Sequence, residues 1–313
     1  MIKLKKIPKI IAGAGGDRTI KLWQVNGKLQ ANLKGHKSTV LTVCCSPNGN
    51  LLASGSADGQ IKLWRWDELA GSYQLNKTLK AHRDAVFTVK FSLDGQQIVS
   101  GSADDTIKIW RPNGEIVKTI KAQMGGIFGV SFIPKGKLIA AAGADGTVKL
   151  WYLDGICLRT LQGHQDIVYS LHFNHDGKKL VSSSRDGTVK LWMQDKVWGR
   201  GGQVQTLQGH NNAVIDTCFH PQENAIASAG ADGIVNIWNL DGTLIHNFPA
   251  HSHIIYSVRF SPDGNLLATA SEDKTVKIWS KHFRLLKTLK VSGSAVYELS
   301  FLPGSQSRYY PRG

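Results

Sequence analysis

Histidine, a hydroxyl residue and aspartate recur together in this sequence at fixed distances, and these are the residue types of a hydrolytic triad. His36 is followed by Ser54 and Asp58, and His82 by Ser100 and Asp104. The same order returns as His164, Ser182, Asp186, then His210, Ser228, Asp232, and finally His251, Thr269, Asp273. A hydrolase needs one such set, because one base activates one nucleophile. Five copies argue for something that every repeat requires, and no catalytic residue is assigned. Each aspartate is followed six residues later by a tryptophan, at Trp64, Trp110, Trp192, Trp238 and Trp279.

Other chemically suggestive stretches fail on context. Gly13-Ala-Gly-Gly-Asp-Arg imitates half of a dinucleotide-binding loop but lacks the third glycine and runs into a strand-like segment, where no helix N-terminus can hold a phosphate. His251-Ser-His253 has an alternate spacing that suits a metal, yet no third ligand stands nearby. Cys44, Cys45, Cys157 and Cys218 form neither a C-x-x-C pair nor a Cys/His cluster at zinc spacing. No cofactor or metal is therefore expected, and the cysteines read as reduced thiols of a cytoplasmic chain.

The elements that must position these residues follow from the tryptophan period. Trp23 and Trp151 join the five above, and the seven are separated by 41, 46, 41, 41, 46 and 41 residues. Between His36 and Trp64, Val-Leu-Thr-Val-Cys-Cys reads as a strand and Ser46-Pro-Asn-Gly as a turn. Leu-Leu-Ala-Ser-Gly-Ser reads as a second strand, Ala57-Asp-Gly as a tight turn, and Gln-Ile-Lys-Leu-Trp as a third strand. A fourth, outer strand ends in Lys-Thr-Leu-Lys before the next histidine. The chain starts inside a repeat, since Lys9-Ile-Ile-Ala-Gly is a second strand with no first strand before it. Ser294-Ala-Val-Tyr-Glu-Leu-Ser-Phe301 aligns with every first strand and supplies the missing one. Residues beyond Phe301 depart from the pattern.

Four short strands per repeat, with Gly-His at one end and Trp at the other, resemble the WD40 family of β-propellers. The resemblance implies an all-β, seven-bladed WD40 β-propeller with four antiparallel strands per blade, closed by N- and C-terminal strands that share one blade. One domain then covers residues 1–313. Blade 1 is 1–35 plus 291–303, blade 2 is 36–81, blade 3 is 82–122 and blade 4 is 123–163. Blade 5 is 164–209, blade 6 is 210–250 and blade 7 is 251–290. The repeats most resemble the regular arrays of bacterial, especially cyanobacterial, multidomain regulators. By the same resemblance the recurring His, Ser or Thr, Asp and Trp form a buried hydrogen-bonded tetrad that locks each blade. Blade 4 departs from it, with Gln123 and Ala141 at the His and Ser positions. Blade 1 departs too, with Ser292 and Gly13, and these two blades are expected to be the least stable.

The family resemblance places three further columns on the top face, around the mouth of a central channel. Five residues after the His position stand Leu41, Phe87, Phe128, Tyr169, Ile215, Tyr256 and Tyr297, all large and five of them aromatic. Two residues before these stand Thr39, Ala85, Gly126, Ile167, Ala213, Ile254 and Ala295. Just ahead of the turn aspartate come Gly16, Ala57, Ala103, Ala144, Arg185, Ala231 and Glu272. Aromatics on a floor of small residues suit a protein or peptide ligand, since they offer large anchors and little charge to desolvate. Side chains that simply plug the channel are the alternative. The five-residue insertions after Trp64 and Trp192 fall on the bottom face and hold the two remaining tryptophans, Trp66 and Trp198. Each of these would either cover its own loop or form a second contact surface.

The formal net charge is +15, from 38 Lys and Arg against 23 Asp and Glu. Nucleic acid or another polyanion is therefore the competing partner. Fourteen of the 38 basic residues recur by blade, six of them as Lys21, Lys62, Lys108, Lys149, Lys190 and Lys277 in third strands. Outer strands carry Lys77, Lys118, Arg159 and Lys287, then Lys34, Lys80, Lys121 and Lys290, while Lys3, Lys5, Lys6 and Lys9 crowd the N-terminus. Lysines on outer strands protect sheet edges, so a nucleic-acid track is not required. Apolar runs such as Leu138 to Ala142 are far below the roughly 20 residues that cross a bilayer, so membrane insertion is not expected. The reading is a non-enzymatic, monomeric interaction scaffold that binds a protein or peptide through its top face.

Overall fold

The computed structural model describes residues 9–134, 136–193, 204–222, 224–291 and 293–303. Among these residues the chain forms twenty-eight strands and no helix, so none could cross a membrane as a helix. The strands sort into seven antiparallel sheets of four. Blade 3 is typical, with β8 (Val86–Phe91), β9 (Ile98–Ser102), β10 (Thr106–Trp110) and β11 (Ile116–Lys121) paired in chain order. Its first turn closes on Gly95 at φ +70°, and Asp94 accepts the amide of Gln96 at 2.9 Å. Glycine suits that left-handed conformation because it has no Cβ to clash.

Burial follows strand position in the blade. β9 is buried at every residue, whereas four consecutive residues of β11 are exposed before Ile120 turns inward. Adjacent blades cover both faces of the second strand, which explains its small, continuous apolar sequence Ile-Val-Ser-Gly-Ser. A Cβ on Gly101 would lie 2.4 Å from Ile127 of blade 4. That glycine sets how closely two blades pack.

The first strands line the central channel. They are β4 (Val40–Cys45), β8, β12 (Ile127–Phe132), β16 (Val168–Phe173), β20 (Val214–Phe219), β24 (Ile255–Phe260) and β28 (Val296–Phe301). β28 pairs with β1 (Ile10–Gly15), which continues into β2 (Thr19–Gln24) and β3 (Leu29–Lys34). Ile11 faces Phe301, Gly13 faces Leu299, and the Leu302 amide donates to the Ile10 carbonyl at 2.9 Å. The two ends thus close the ring, as the repeat register predicts.

The insertion after Trp64 lengthens a hairpin. β6 (Gln60–Asp67) and β7 (Ser72–Lys80) stay paired beyond Trp64, with Trp66 opposite Tyr73. The two rings meet edge to face at 5.2 Å, and Tyr73 is buried, so Trp66 covers its own hairpin. Trp198 and the segment around it lie outside the described residues, as do Ser292, Lys3, Lys5, Lys6 and the tail beyond Pro303.

Candidate functional site

Every one of the seven large residues occupies a β-bulge. In β8 Val86 pairs with Ser102 and Thr88 with Gly101, leaving Phe87 without a partner. The same skip leaves out Leu41, Phe128, Tyr169, Ile215, Tyr256 and Tyr297. A bulge bends the strand and re-aims a side chain. All seven consequently line one cavity of about 380 Å³ at the channel mouth. Phe87 stacks on Phe128 with centroids 4.7 Å apart, Phe128 meets Tyr169 edge-on at 5.7 Å, and Tyr256 contacts Tyr297 at 4.9 Å.

The other two columns knit the top of each blade. The amide of each residue ahead of the turn aspartate donates to the carbonyl three residues past the His position. Examples are Ala103 to Ala85 at 3.0 Å, Arg185 to Ile167 at 2.9 Å and Glu272 to Ile254 at 3.0 Å. Of these columns Ile254 reaches the cavity; Ile167, Arg185 and Glu272 are not among its lining residues. Arg185 stands exposed with its guanidinium 3.7 Å from Asp166.

The expected floor of small residues is a correction to make, because the cavity floor is charged. Directly beneath the ring lie Lys90, His172, Asp216, Arg259 and Glu298. Arg259 pairs with Asp216 and, at 3.2 Å, with Glu298, which also pairs with Lys90. Asp216 accepts from Ser170 at 2.7 Å and from the Val258 amide at 2.9 Å. Glu298 accepts from Thr42 and, at 3.1 Å, from the Val43 amide. Burial opposes ionisation of Glu298, but Lys90 and Arg259 outweigh it and hold the carboxyl below its usual range. Burial, reinforced by Arg259 and Lys90, keeps the His172 imidazole neutral. Two cations therefore balance two carboxylates. The bulge is the physical cause, since it lets the ring residue and its successor both face the channel.

In blades 3, 5, 6 and 7 the recurring His, Ser or Thr, Asp and Trp are joined by hydrogen bonds. In blade 3 Trp110 donates to Ser100 Oγ at 2.9 Å, and Ser100 meets His82 Nε2 at 2.8 Å. Indole can only donate, so the serine proton goes to Nε2. Nδ1 then carries hydrogen toward Asp104 at 3.2 Å. The sets of His164, His210 and His251 repeat this chain, with Nδ1 to aspartate distances of 2.9, 2.9 and 2.8 Å. Blade 2 is a correction. His36 reaches Ser54 at 2.7 Å, but its buried Nδ1 has no partner and Asp58 instead accepts the amides of Lys37 and Gln60. In blade 4 Met124 fills the space, packing with Ala141 and Trp151 in an apolar cluster. In blade 1 Gly13 lets the Trp23 ring approach where a Cβ would lie only 2.8 Å from it.

Sequence comparison agrees with this geometry. The family described as WD domain, G-beta repeat matches residues 155–193, 201–239 and 242–280. The family described as WD repeat-containing protein 75 first beta-propeller matches residues 17–146. The chain belongs to the WD40-repeat β-propeller family. Among its relatives is the MST50-interacting protein 11 of Pyricularia oryzae, 40% identical over 68 residues, which are 21% of this chain and 22% of that protein. Another is the small ribosomal subunit protein RACK1 of Caenorhabditis elegans, 43% identical over 67 residues, 21% of each chain. The matched segment thus spans about a fifth of the length of these curated relatives.

Within this WD40 propeller the charged floor is what sequence reading missed. Its signal was present in two columns one and three residues past the ring. Thr42, Thr88, Gly129, Ser170, Asp216, Ser257 and Glu298 form the first, and Lys90, His172 and Arg259 stand in the second. Cys44 and Cys218 share that second column, and burial pushes both thiols up, Cys218 to about 12, so neither is a ready thiolate. Among the described residues no group of three His, Cys, Asp or Glu side chains could hold a metal ion.

Proposed function

We propose that this propeller is a non-enzymatic scaffold whose channel mouth binds a protein or peptide segment by taking up one large uncharged side chain. The observation that carries the reading is the cavity at the channel mouth, rimmed by seven bulge residues and floored by charges that already satisfy one another. A ligand cation would find both carboxylates occupied, and a ligand anion would find both cations occupied. Separating either pair costs several kcal/mol, by the usual penalty for an unpaired buried charge. An apolar side chain meets no such cost and gains contact with the aromatic rim, where binding hot spots concentrate.

The names of both relatives refer to interaction or assembly with other macromolecules, which supports the scaffold class. The regular repeats suit a module of a larger regulatory protein of the bacterial kind, although the two relatives named here are a fungal and a nematode protein. The absence of a disulfide among the described cysteines fits a reducing, cytoplasmic setting.

Panning a random peptide library against the protein tests the reading. Selected peptides should share a large uncharged residue and lose at least tenfold in affinity for Tyr169→Ala/Tyr256→Ala. Unchanged affinity for the double variant would remove the site.

A further inference from the structure

The sevenfold repeat lets each surface position be compared with its six equivalents, and in three columns of the top rim the cations prove to be one-sided, while Arg185 of blade 5, in a fourth column, is paired with Asp166. At the top end of the outer strands, blades 7, 1, 2 and 3 carry Lys290, Lys34, Lys80 and Lys121, all exposed. Blades 4, 5 and 6 carry Gln162, Gln208 and Pro249 there. In the tight turn beside them, blades 7 and 1 carry Lys274 and Arg18, whereas blades 2, 4, 5 and 6 have glycine and blade 3 has Asp105. Immediately after the tetrad histidine, blades 2 and 3 carry Lys37 and Arg83, and the matching residues of blades 4, 5 and 6 are Met124, Gln165 and Asn211. Four adjacent blades thus hold all the cations of three columns, and the remaining three blades hold no charge in them.

These columns are neighbours in space. Lys290 lies across the sheet from Thr275 and Lys34 from Thr19, the residues that follow Lys274 and Arg18. The amide after Lys290 donates to the Lys274 carbonyl at 2.8 Å. Among the described residues none of the eight cations takes part in an ion pair; the third-strand lysines differ, since Lys62 and Lys190 are buried on Thr78 and Thr206. Asp105, the one acid in the columns, is taken up by the amides of Met124 and Gly126. Asp84 and Glu272 are the exposed acids on the same loops, and the half-buried turn aspartates are engaged locally, Asp17 by Lys21, Asp58 by the amides of Lys37 and Gln60, and Asp104 and Asp273 by His82 and His251.

Arg18 and Lys274 sit at φ +67° and +64°. That conformation strains a side chain and is free for glycine, so the turn would be more relaxed with the residue that four other blades use. Cations held against local preference point to a use for them.

We infer that the top outer rim of blades 7, 1, 2 and 3 binds the phosphodiester backbone of a single-stranded nucleic acid, without reading its sequence. Cations spaced blade by blade along a curved rim suit a flexible chain of regularly repeated anions. A lipid surface fits less well, because the large exposed apolar residues, such as Leu285, Leu286, Ile116 and Leu244, lie at the opposite end of the outer strands.

The probe is a fluorescein-labelled 20-nucleotide oligouridylate titrated by anisotropy from 50 to 300 mM NaCl. Lys34→Gln/Lys80→Gln/Lys121→Gln/Lys290→Gln should weaken binding at least tenfold and flatten the plot of log K against log salt by roughly 2 to 3, at about 0.7 per lost phosphate contact. The charge-matched control Arg65→Gln/Lys137→Gln/Lys178→Gln/Lys281→Gln, at the bottom end, should stay within about twofold of wild type. Arg18→Gly/Lys274→Gly should bind more weakly with no fall in Tm. Equal losses from both quadruple variants, or none from the rim variant, would overturn the assignment. So would rim-dependent binding to phosphatidylserine vesicles without binding to the oligonucleotide.

Discussion

Glu298 shows how much one side chain of the channel floor is asked to do. It faces Lys90 and Arg259, accepts from Thr42 and binds the Val43 amide of the next blade. Glu298→Gln keeps the shape but leaves two cations short of an anion, so it should cost about 3–5 kcal/mol of unfolding free energy, as removal of one partner from a buried pair does. Urea denaturation reads this directly, and a loss under about 1 kcal/mol would mean that water screens the floor. The tetrad histidines make a separate prediction in pH. Burial holds His36 and His82 neutral with pKa values of about 4, against a carboxylate that pulls the other way. On unfolding they return to the ordinary 6.5, so between pH 6.5 and 4 the unfolded chain binds more protons. Stability present above pH 6.5 should therefore fall as the pH drops toward 4, by roughly 3 kcal/mol for each of the two. Unfolding curves at pH 7.5, 6, 5 and 4 check the slope. His82→Asn should flatten it, and an unchanged slope would show that His82 is not the group responsible.

At the scale of strands and blades, the phase of the repeat could be read from spacing alone because every blade needs the same turn and the same buried tryptophan. Val40–Cys45 and Leu51–Ser56 are strands with the bounds that the pattern implies, and Val296–Phe301 completes the terminal blade. The floor was not legible for a local reason. Alternation along a strand puts successive side chains on opposite faces, so Asp216 after Ile215 and Glu298 after Tyr297 should point away from the ring. The bulge cancels the alternation at that one step, and nothing in the composition of a single strand announces it. Partner distances were equally hidden, which is why the unsatisfied Nδ1 of His36 appears only in three dimensions. Blades should consequently differ in hydrogen exchange. Protection is expected to be highest in blades 3, 5, 6 and 7, intermediate in blade 2, and lowest in blades 1 and 4, where no His-Ser-Asp chain exists; uniform protection would detach blade stability from the tetrad. Gly101→Ala tests blade spacing, since its Cβ would collide with Ile127. Overpacking of this kind costs about 1–3 kcal/mol, and an unchanged Tm would mean that blades 3 and 4 can slide apart freely.

For the whole molecule, one strand carries both closure and function. β28 fills the inner edge of the terminal sheet through its register with β1 and packs against β24 and β4 on either side. It also delivers Tyr297 to the rim and Glu298 to the floor. Removing residues 291–313 would strip the inner edge from β1, expose a row of unpaired backbone groups, and leave Lys90 and Arg259 facing one carboxylate fewer. Unpaired edges invite association between chains, and each blade is held by its neighbours, so the damage should not stay local. The truncated protein is expected to lose its single cooperative urea transition and to associate, as read by light scattering. A synthetic peptide of residues 291–303 added in trans should restore the transition, and the same peptide with Glu298→Gln should restore it poorly, because it rebuilds the sheet without the charge. A truncated chain that stays monomeric with an unchanged transition would show that the other six blades hold the ring alone. Rescue by both peptides alike would assign closure to backbone pairing and leave the floor charges to the ligand site.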